Sequence, residues 1–421
     1  MAFRCSLAIL ALSFVCEISS VSAQNPVYAW GQNGYGQLGD GTDINRTPPV
    51  LVSGLSTGVT AVYAGGYHSL AVKNGATYVW GRNDIGQLGD GTTTDSFTPL
   101  PLTPFSTGGT VFSLGDLHSL ALKDGAVSAW GYNANGQLGN GTASNDPNPN
   151  PVVVSVLTGG VTAISAGGYH NLALMGGGVY AWGFNDFGQV GDGSTTDRYT
   201  PVAVSGMTSG VTAIEGGSNH SLAIKDGAVY AWGLNTWGQL GDGTTDNQTT
   251  PVAVSGLTSG VTAISAGAGH SMAVVSGGVY TWGLNGGGQL GDNTTDDRTT
   301  PFHVTTGTSS GNSIDLTTLT FTQVAAGFDY SLALTADGRL FAWGANGSGQ
   351  LGDGTNSMRA VPNEIIAPTG FLFTSISGGG AYALAIVVPV PEPVGVLAVV
   401  GLATFVTRRR FSALPQSTTV S

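Results

Sequence analysis

Cysteine is nearly missing from this chain of 421 residues: there are two, Cys5 and Cys16. Both lie within residues 1–23, so the remainder offers no disulfide, no thiol nucleophile and no cysteine ligand for a metal. Charge is scarce as well, at 9% of residues, roughly a third of ordinary usage and far from coiled-coil composition. Basic residues are the scarcer sign, 13 Lys and Arg against 25 Asp and Glu, for a net charge of −12. Three of those basics are Arg408, Arg409 and Arg410. A nucleic-acid partner is not expected, because phosphate binding needs clustered cations. Hydrophobic runs are short: residues 394–406 fall below the roughly 20 residues that span a bilayer. Glycine abounds, with 68 copies, and the 41% hydrophobic content suffices for a buried core.

The two ends read as addresses. Arg4, the apolar residues 6–15 and the small-residue site Val21-Ser22-Ala23 make residues 1–23 an expected export signal peptide. At the other end, residues 389–421 contain Pro391-Glu392-Pro393, the short apolar run, and Arg408, Arg409 and Arg410, which the positive-inside rule keeps cytoplasmic. That order resembles the PEP-CTERM sorting tail of Gram-negative bacteria. The resemblance implies recognition by an exosortase-type processing enzyme and membrane contact through the C-terminal segment, whether lasting or transient. Such tails end at the arginines, whereas this chain runs on through residues 411–421. An ordinary short membrane anchor is the other reading of the same residues.

Between the ends, residues 24–388 repeat one unit. Trp-Gly-x-Asn-x-x-Gly-Gln-Leu-Gly-Asp-Gly, with small variations, begins at Trp30, Trp80, Trp130, Trp182, Trp232, Trp282 and Trp343. The period is about 50 residues, with a longer last interval. A second element, Ala-Gly-x-x-His-Ser-Leu-Ala, is centred on His68, His118, His170, His220 and His270, with Tyr330 and Tyr382 in the last two copies. Each unit carries four short strand signals; in the fifth they fall at residues 251–254, 261–264, 271–274 and 279–282. Asn74-Gly75, Asp124-Gly125, Asp226-Gly227 and Asp337-Gly338 supply the positive φ of tight hairpins. Seven such units predict an all-β, seven-bladed β-propeller of four-stranded blades. The chain opens on a last-strand signal, residues 27–30, and ends on a unit lacking it. The N-terminal strand is therefore expected to close the ring, which leaves no open sheet edge between the ends.

The two motifs together resemble the regulator of chromosome condensation repeat family across all seven units. The resemblance implies a propeller used as an interaction scaffold. It also supplies two special cases: inhibition of an enzyme, as in secreted members that inhibit β-lactamases, and guanine-nucleotide exchange on a Ran-type GTPase. Exchange in that family uses an acidic face and a wedge from one blade; the insertion near residues 305–316 lacks the apolar tip of a wedge.

Seven copies in one chain separate fixed residues from variable ones. The seven tryptophans are expected to pack between blades, and the Gly-Gln-Leu-Gly-Asp loops to anchor them. A ring of five histidines could bind a metal, but tyrosine at two of the seven places keeps the ring while losing its nitrogens, which favours a structural position. Neighbouring His-Ser pairs point to opposite faces of a strand and make no nucleophile. Asp-Gly-Thr loops such as residues 192–197 resemble calcium loops but lack the spacing and terminal glutamate, so turn chemistry is expected. Neither a catalytic set, a metal site nor a cofactor motif is apparent, and no enzyme activity is expected. Binding candidates are the loop residues that vary: Tyr35, Arg82, Tyr132, Phe184, Phe187 and Trp237 on one rim, against the alternative that they pack locally. The expected function is an exported, surface-associated bacterial scaffold whose partner is a protein or glycan.

Overall fold

A computed structural model describes residues 24–105 and 109–390. The export segment, and with it Cys5 and Cys16, lies outside the described residues, as do Pro391, Glu392, Pro393, Arg408, Arg409 and Arg410. Among the described residues the strands form seven antiparallel blades, each of four strands, in a closed β-propeller. Blade 1 runs outward from Val59–Ala64 through His68–Lys73 and Ala76–Gly81 to Ser96–Pro101. Blades 2 to 6 repeat this order, with innermost strands Val111–Leu114, Val161–Ala166, Val211–Gly216, Val261–Ala266 and Phe321–Ala326.

Blade 7 closes the ring with two strands from each end of the chain. Its order is Arg46–Leu51, Val27–Gly31, Tyr382–Pro389, Phe371–Gly378. The N-terminus thus contributes its outer pair, one strand more than the sequence pattern suggested. The same offset holds around the ring. Gln248–Ala253, which contains residues 251–253, pairs with Ala228–Gly233 and is the outer edge of blade 4, and does not open the next unit. The loop after each Trp-Gly folds back on itself, so the following strand returns to the strand it has just left.

Asn74, Asp124 and Asp226 have φ near +50° and are each followed by a positive-φ glycine, the two-residue hairpin geometry. Asp337 lacks it: only Gly338 is left-handed there, and the connection from Tyr330–Thr335 to Leu340–Gly344 is longer. In blade 2 the alternating Pro147, Pro149 and Pro151 shorten the outer strand to Val152–Val153. The long last repeat holds an added hairpin, Thr306–Ser309 with Asn312–Asp315, which extends blade 6 to six strands beside Arg359–Ile365.

The blades meet through a repeated set of contacts. All seven repeat tryptophans are essentially inaccessible to solvent. Trp80 of blade 1 packs among Leu38, Val52 and Leu384 of blade 7. Its indole Nε1 donates to the Gln37 carbonyl at 2.8 Å, and each other tryptophan bonds the corresponding glutamine. Gly39, at φ +68°, has no room for a side chain because the Trp80 indole lies against its Cα. Losing one such indole costs about 3–5 kcal/mol.

Candidate binding face

Asparagine and glutamine build the loop that follows each Trp-Gly. Asn33 Oδ1 accepts from the Leu38 amide at 2.9 Å, and its Nδ2 donates to the Thr42 carbonyl at 2.9 Å. Gln37 Oε1 accepts from the Tyr35 amide at 3.0 Å. The Gln-to-amide bond recurs at Ile85, Asn135, Phe187, Trp237, Gly287 and Ser348, so the variable side chain always leaves from a fixed point. Asp40 Oδ1 accepts from the Thr42 amide and hydroxyl, while Arg46 pairs with Oδ2 at 2.7 Å. Burial opposes the charged form of Asp40, yet the Thr42 and Arg46 contacts outweigh it and hold the carboxyl below its usual range. Asp192, Asp292 and Asp353 repeat the arrangement. Their oxygens are committed to the turn. Among the described residues no three His, Cys, Asp or Glu side chains converge as for a metal.

A second repeated bond sets these loops beside the residue that precedes each His or Tyr. The amides of Arg82, Tyr132, Phe184 and Leu234 donate to the carbonyls of Tyr67, Leu117, Tyr169 and Asn219 at 2.9–3.0 Å. One face of the ring therefore collects both variable sets. Tyr35 meets Tyr67 edge-on at 5.7 Å, and the Arg82 guanidinium lies over both rings at 5.0 and 5.6 Å. Arg82 also forms a bidentate pair with Asp84. Tyr132 contacts Tyr169 at 5.8 Å, Phe184 contacts Phe187 at 6.0 Å, and Trp237 covers Gly269. All six rim candidates are half-buried, packed on one side and open on the other. The matching positions in blades 5 and 6 are Leu284, Gly287, Ala345 and Ser348. The face is thus aromatic over one sector and carries small or aliphatic residues over another. Sequence reasoning missed Tyr67, Tyr169 and Phe328, although the two places before each His or Tyr vary between copies as the rim positions do.

Beneath the face the histidines link the blades. His68 Nε2 lies 2.8 Å from Ser119 Oγ of blade 2, and His170, His220 and His270 reach Ser221, Ser271 and Ser331 in the same way. His118 reaches Asn171 Oδ1 at 2.7 Å. These look like His–Ser dyads, but the proton count forbids nucleophile activation. Ser119 donates its own proton to the Gln87 carbonyl, so His68 must donate through Nε2–H and has no base facing the serine. Each Nδ1 is buried without a hydrogen bond. Desolvation accordingly drives the five imidazoles down to about 3 or 4. At the two tyrosine positions, Tyr382 OH donates to the His68 carbonyl at 2.6 Å and Tyr330 OH to the Tyr382 carbonyl.

The innermost strands surround an axial channel of about 360 Å³. At its mouth one backbone bond crosses every blade interface: Gly66 to Gly115, Asp116 to Gly168, Gly168 to Gly217, Ser218 to Gly267, Ala268 to Phe328, Phe328 to Gly380, and Gly380 to Gly65. The belt is closed. Two carboxyls line the channel, Asp116 and Glu215, and burial pushes them up to about 6 and about 7.

The regulator of chromosome condensation (RCC1) repeat matches residues 25–72, 74–122, 124–174, 176–224, 226–274, 276–334 and 337–386, which is nearly all of the described ring. The chain belongs to the RCC1 repeat family. Among solved structures it is similar to human WBSCR16, at 22% identity and a TM-score of 0.74, covering 87% of this chain and 99% of that one. Yeast Prp20p bound to Kap60 gives 22% and 0.74, covering 88% and 90%. At that identity the likeness establishes the fold. Among curated relatives, Arabidopsis RUG3, a mitochondrial RCC1 domain protein, is 39% identical over 71 residues, and the Arabidopsis ultraviolet-B receptor UVR8 is 32% identical over 71. Each match spans 17% of this chain and 16% of the relative.

Proposed function

We propose that this RCC1-repeat chain is an exported recognition scaffold that binds a protein or glycan through the face carrying Tyr35, Arg82, Tyr132, Phe184, Phe187 and Trp237. One observation carries the reading: aromatic rings and an arginine concentrate on a single sector of one face, half open to solvent, above a ring whose blades are locked by a closed belt of bonds. Aromatic side chains lose little entropy on binding, and with arginine they are the usual anchors of recognition surfaces. Yeast Prp20p, of the same fold, binds Gsp1p and histones, which supports a protein partner. Export and surface retention rest on residues 1–23 and on the Pro-Glu-Pro tail. Inhibition of a secreted enzyme is one form such binding could take.

The test compares the native chain with a Tyr132→Ala, Phe187→Ala, Trp237→Ala triple variant, each cross-linked to the surface fraction of the source cells. A partner captured by the native chain and by a Ser348→Ala control, but lost from the triple variant, supports the reading. Equal capture by all three overturns it. A second reading, nucleotide exchange on a Ran-type GTPase, draws on family membership and the acidic composition. A purified GTPase whose nucleotide release this chain accelerates would favour it, and so would a full-length form found in the cytosol.

A further inference from the structure

Two kinds of side chain stitch the blade interfaces. The five interfaces from blade 1 to blade 6 each carry a buried imidazole, whose Nε2 bonds Ser119, Asn171, Ser221, Ser271 or Ser331 of the next blade. The two interfaces of blade 7 carry phenols in that place. Tyr330 of blade 6 donates to the Tyr382 carbonyl. Tyr382 donates to the His68 carbonyl of blade 1 at 2.6 Å and accepts from Ser69 Oγ at 3.0 Å. Blade 7 is also the blade assembled from both ends of the chain. The phenols thus flank the seam at which the ring closes without a covalent link.

We propose that mild acid opens this ring locally: the five histidine interfaces loosen while the two phenol interfaces beside blade 7 stay closed. Each imidazole spends its Nε2 proton on the next blade, and its Nδ1 is buried without a hydrogen bond. A second proton would create a cation whose new N–H meets no acceptor. The ring has no room to turn toward one. A Cβ built on Gly115 would meet His118 Cε1 at 2.4 Å and the Gly167 carbonyl of blade 3 at 2.5 Å. The charged ring is therefore accommodated when the interface parts and water reaches Nδ1.

Neighbouring groups do not rescue the closed form. The charged groups on the elements packed against the rings are the other imidazoles, Arg82 beside His68, and the carboxyls of Asp116, Glu215 and Asp329. The imidazoles and Arg82 oppose a further positive charge. Among the described residues no carboxyl reaches an Nδ1, and burial favours the neutral carboxyls, so acid leaves them no counter-charge to offer. Tyr67, Tyr132 and Tyr169 on the adjoining loops are uncharged in acid. At the seam, burial holds the protons of Tyr330 and Tyr382 more firmly still, so those two donors are the same at pH 5 as at pH 7.5.

The division runs through the aromatic face. Tyr132 meets Tyr169 across blades 2 and 3, and Trp237 of blade 4 covers Gly269 of blade 5, so both contacts part with histidine interfaces. Tyr35, Tyr67 and Phe328 meet across blades 7, 1 and 6 and stay together. Release of a partner from the first set rests on the function proposed above, whereas the opening rests on the interfaces alone.

Amide hydrogen exchange of the full chain at pH 7.5 and pH 5, corrected for the intrinsic rate, tests this strand by strand. An opened interface frees an imidazole that titrates near 6.5, so its opening constant rises roughly thirtyfold over that range. His170–Met175 and His220–Lys225 lie between histidine interfaces, whereas Val27–Gly31 and Tyr382–Pro389 belong to blade 7. The expected result is a loss of protection about tenfold or more greater in the first pair than in the second. Tyr382→His, which moves an imidazole to the seam, should extend the loss to blade 7. His220→Gln, a neutral donor that does not titrate, should reduce it at residues 220–225, with melting temperature at pH 7.5 checked for both variants. Equal losses in the two pairs would make acid unfolding global and overturn the proposal. Unchanged protection of the first pair at pH 5 would also overturn it, as would a loss in His220→Gln as large as in the native chain.

Discussion

At the scale of single residues, the second motif is a contact rule written seven times. Gly167 is invariant in kind because the His170 ring lies on it: a Cβ there would meet His170 Cε1 at 2.4 Å and the Gly217 carbonyl of the next blade at 2.5 Å. Neither atom can retreat, since one belongs to a fully buried ring and the other to backbone. Gly167→Ala is therefore expected to lower stability by about 3 kcal/mol, whereas Gly286→Ala, whose Cβ would meet nothing within 4 Å, should stay within about 0.5 kcal/mol. Urea midpoints for the two variants decide this, and equal losses would contradict it. Rim residues obey a looser rule. Phe187 and Trp237 pack on one side alone, so replacing either with Ala should shift the melting temperature by no more than about 4 °C while weakening partner capture. A collapse of folding would make them core residues.

Elements were the most legible scale, and the reasons are local. Hairpin turns follow from Asn-Gly and Asp-Gly, and strand number follows from a β-rich pattern repeated at a fixed period. Pairing was less legible. Nothing in residues 251–254 says whether that strand joins the unit before it or after it; the Asn235 and Gln239 side chains decide, by folding the intervening loop back on Ala228–Gly233. The channel was hidden for a related reason, because Asp116 and Gly168 become neighbours only when blades 2 and 3 meet. Closure turns on Val27–Gly31, which sits between Arg46–Leu51 and Tyr382–Pro389 with Trp30 bonded to the Gln350 carbonyl of blade 6. Deleting residues 24–30 removes an interior strand, strips Arg46–Leu51 of its neighbour and reopens the ring. A fall in melting temperature of about 10 °C or more, with increased aggregation on heating, is the expected outcome. An unchanged melt would mean that blade 7 does not hold the ring together.

Over the whole molecule, the same repeated histidine becomes an acid sensor by number. In the unfolded chain each imidazole takes up a proton as pH falls through about 6.5, while the folded ring, with every Nδ1 buried and unbonded, resists until about 3 or 4. The unfolded state thus binds more protons across that window, so the stability these groups contribute is present above pH 6.5 and is lost as pH falls. Asp116 and Glu215 act in the opposite sense, because the folded state keeps their protons up to about 6 and about 7 and gains stability as pH drops toward their unfolded values. Burial raises Asp329 as well, so five histidines stand against three carboxyls, which leaves a net difference of roughly two to three protons near pH 5, or about 3–4 kcal/mol per pH unit. The Asp40, Asp192, Asp292 and Asp353 loop carboxylates, all held low, add to the loss in more acid solution. Urea midpoints should therefore fall steeply from pH 7 to pH 5, and the ring protons of His68, His118, His170, His220 and His270 followed by NMR should show no titration above pH 5 in the folded protein. A flat midpoint over that range would require that the imidazoles find a proton acceptor at Nδ1, and the inter-blade donor assignment derived from Ser119 and Gln87 would fail with it.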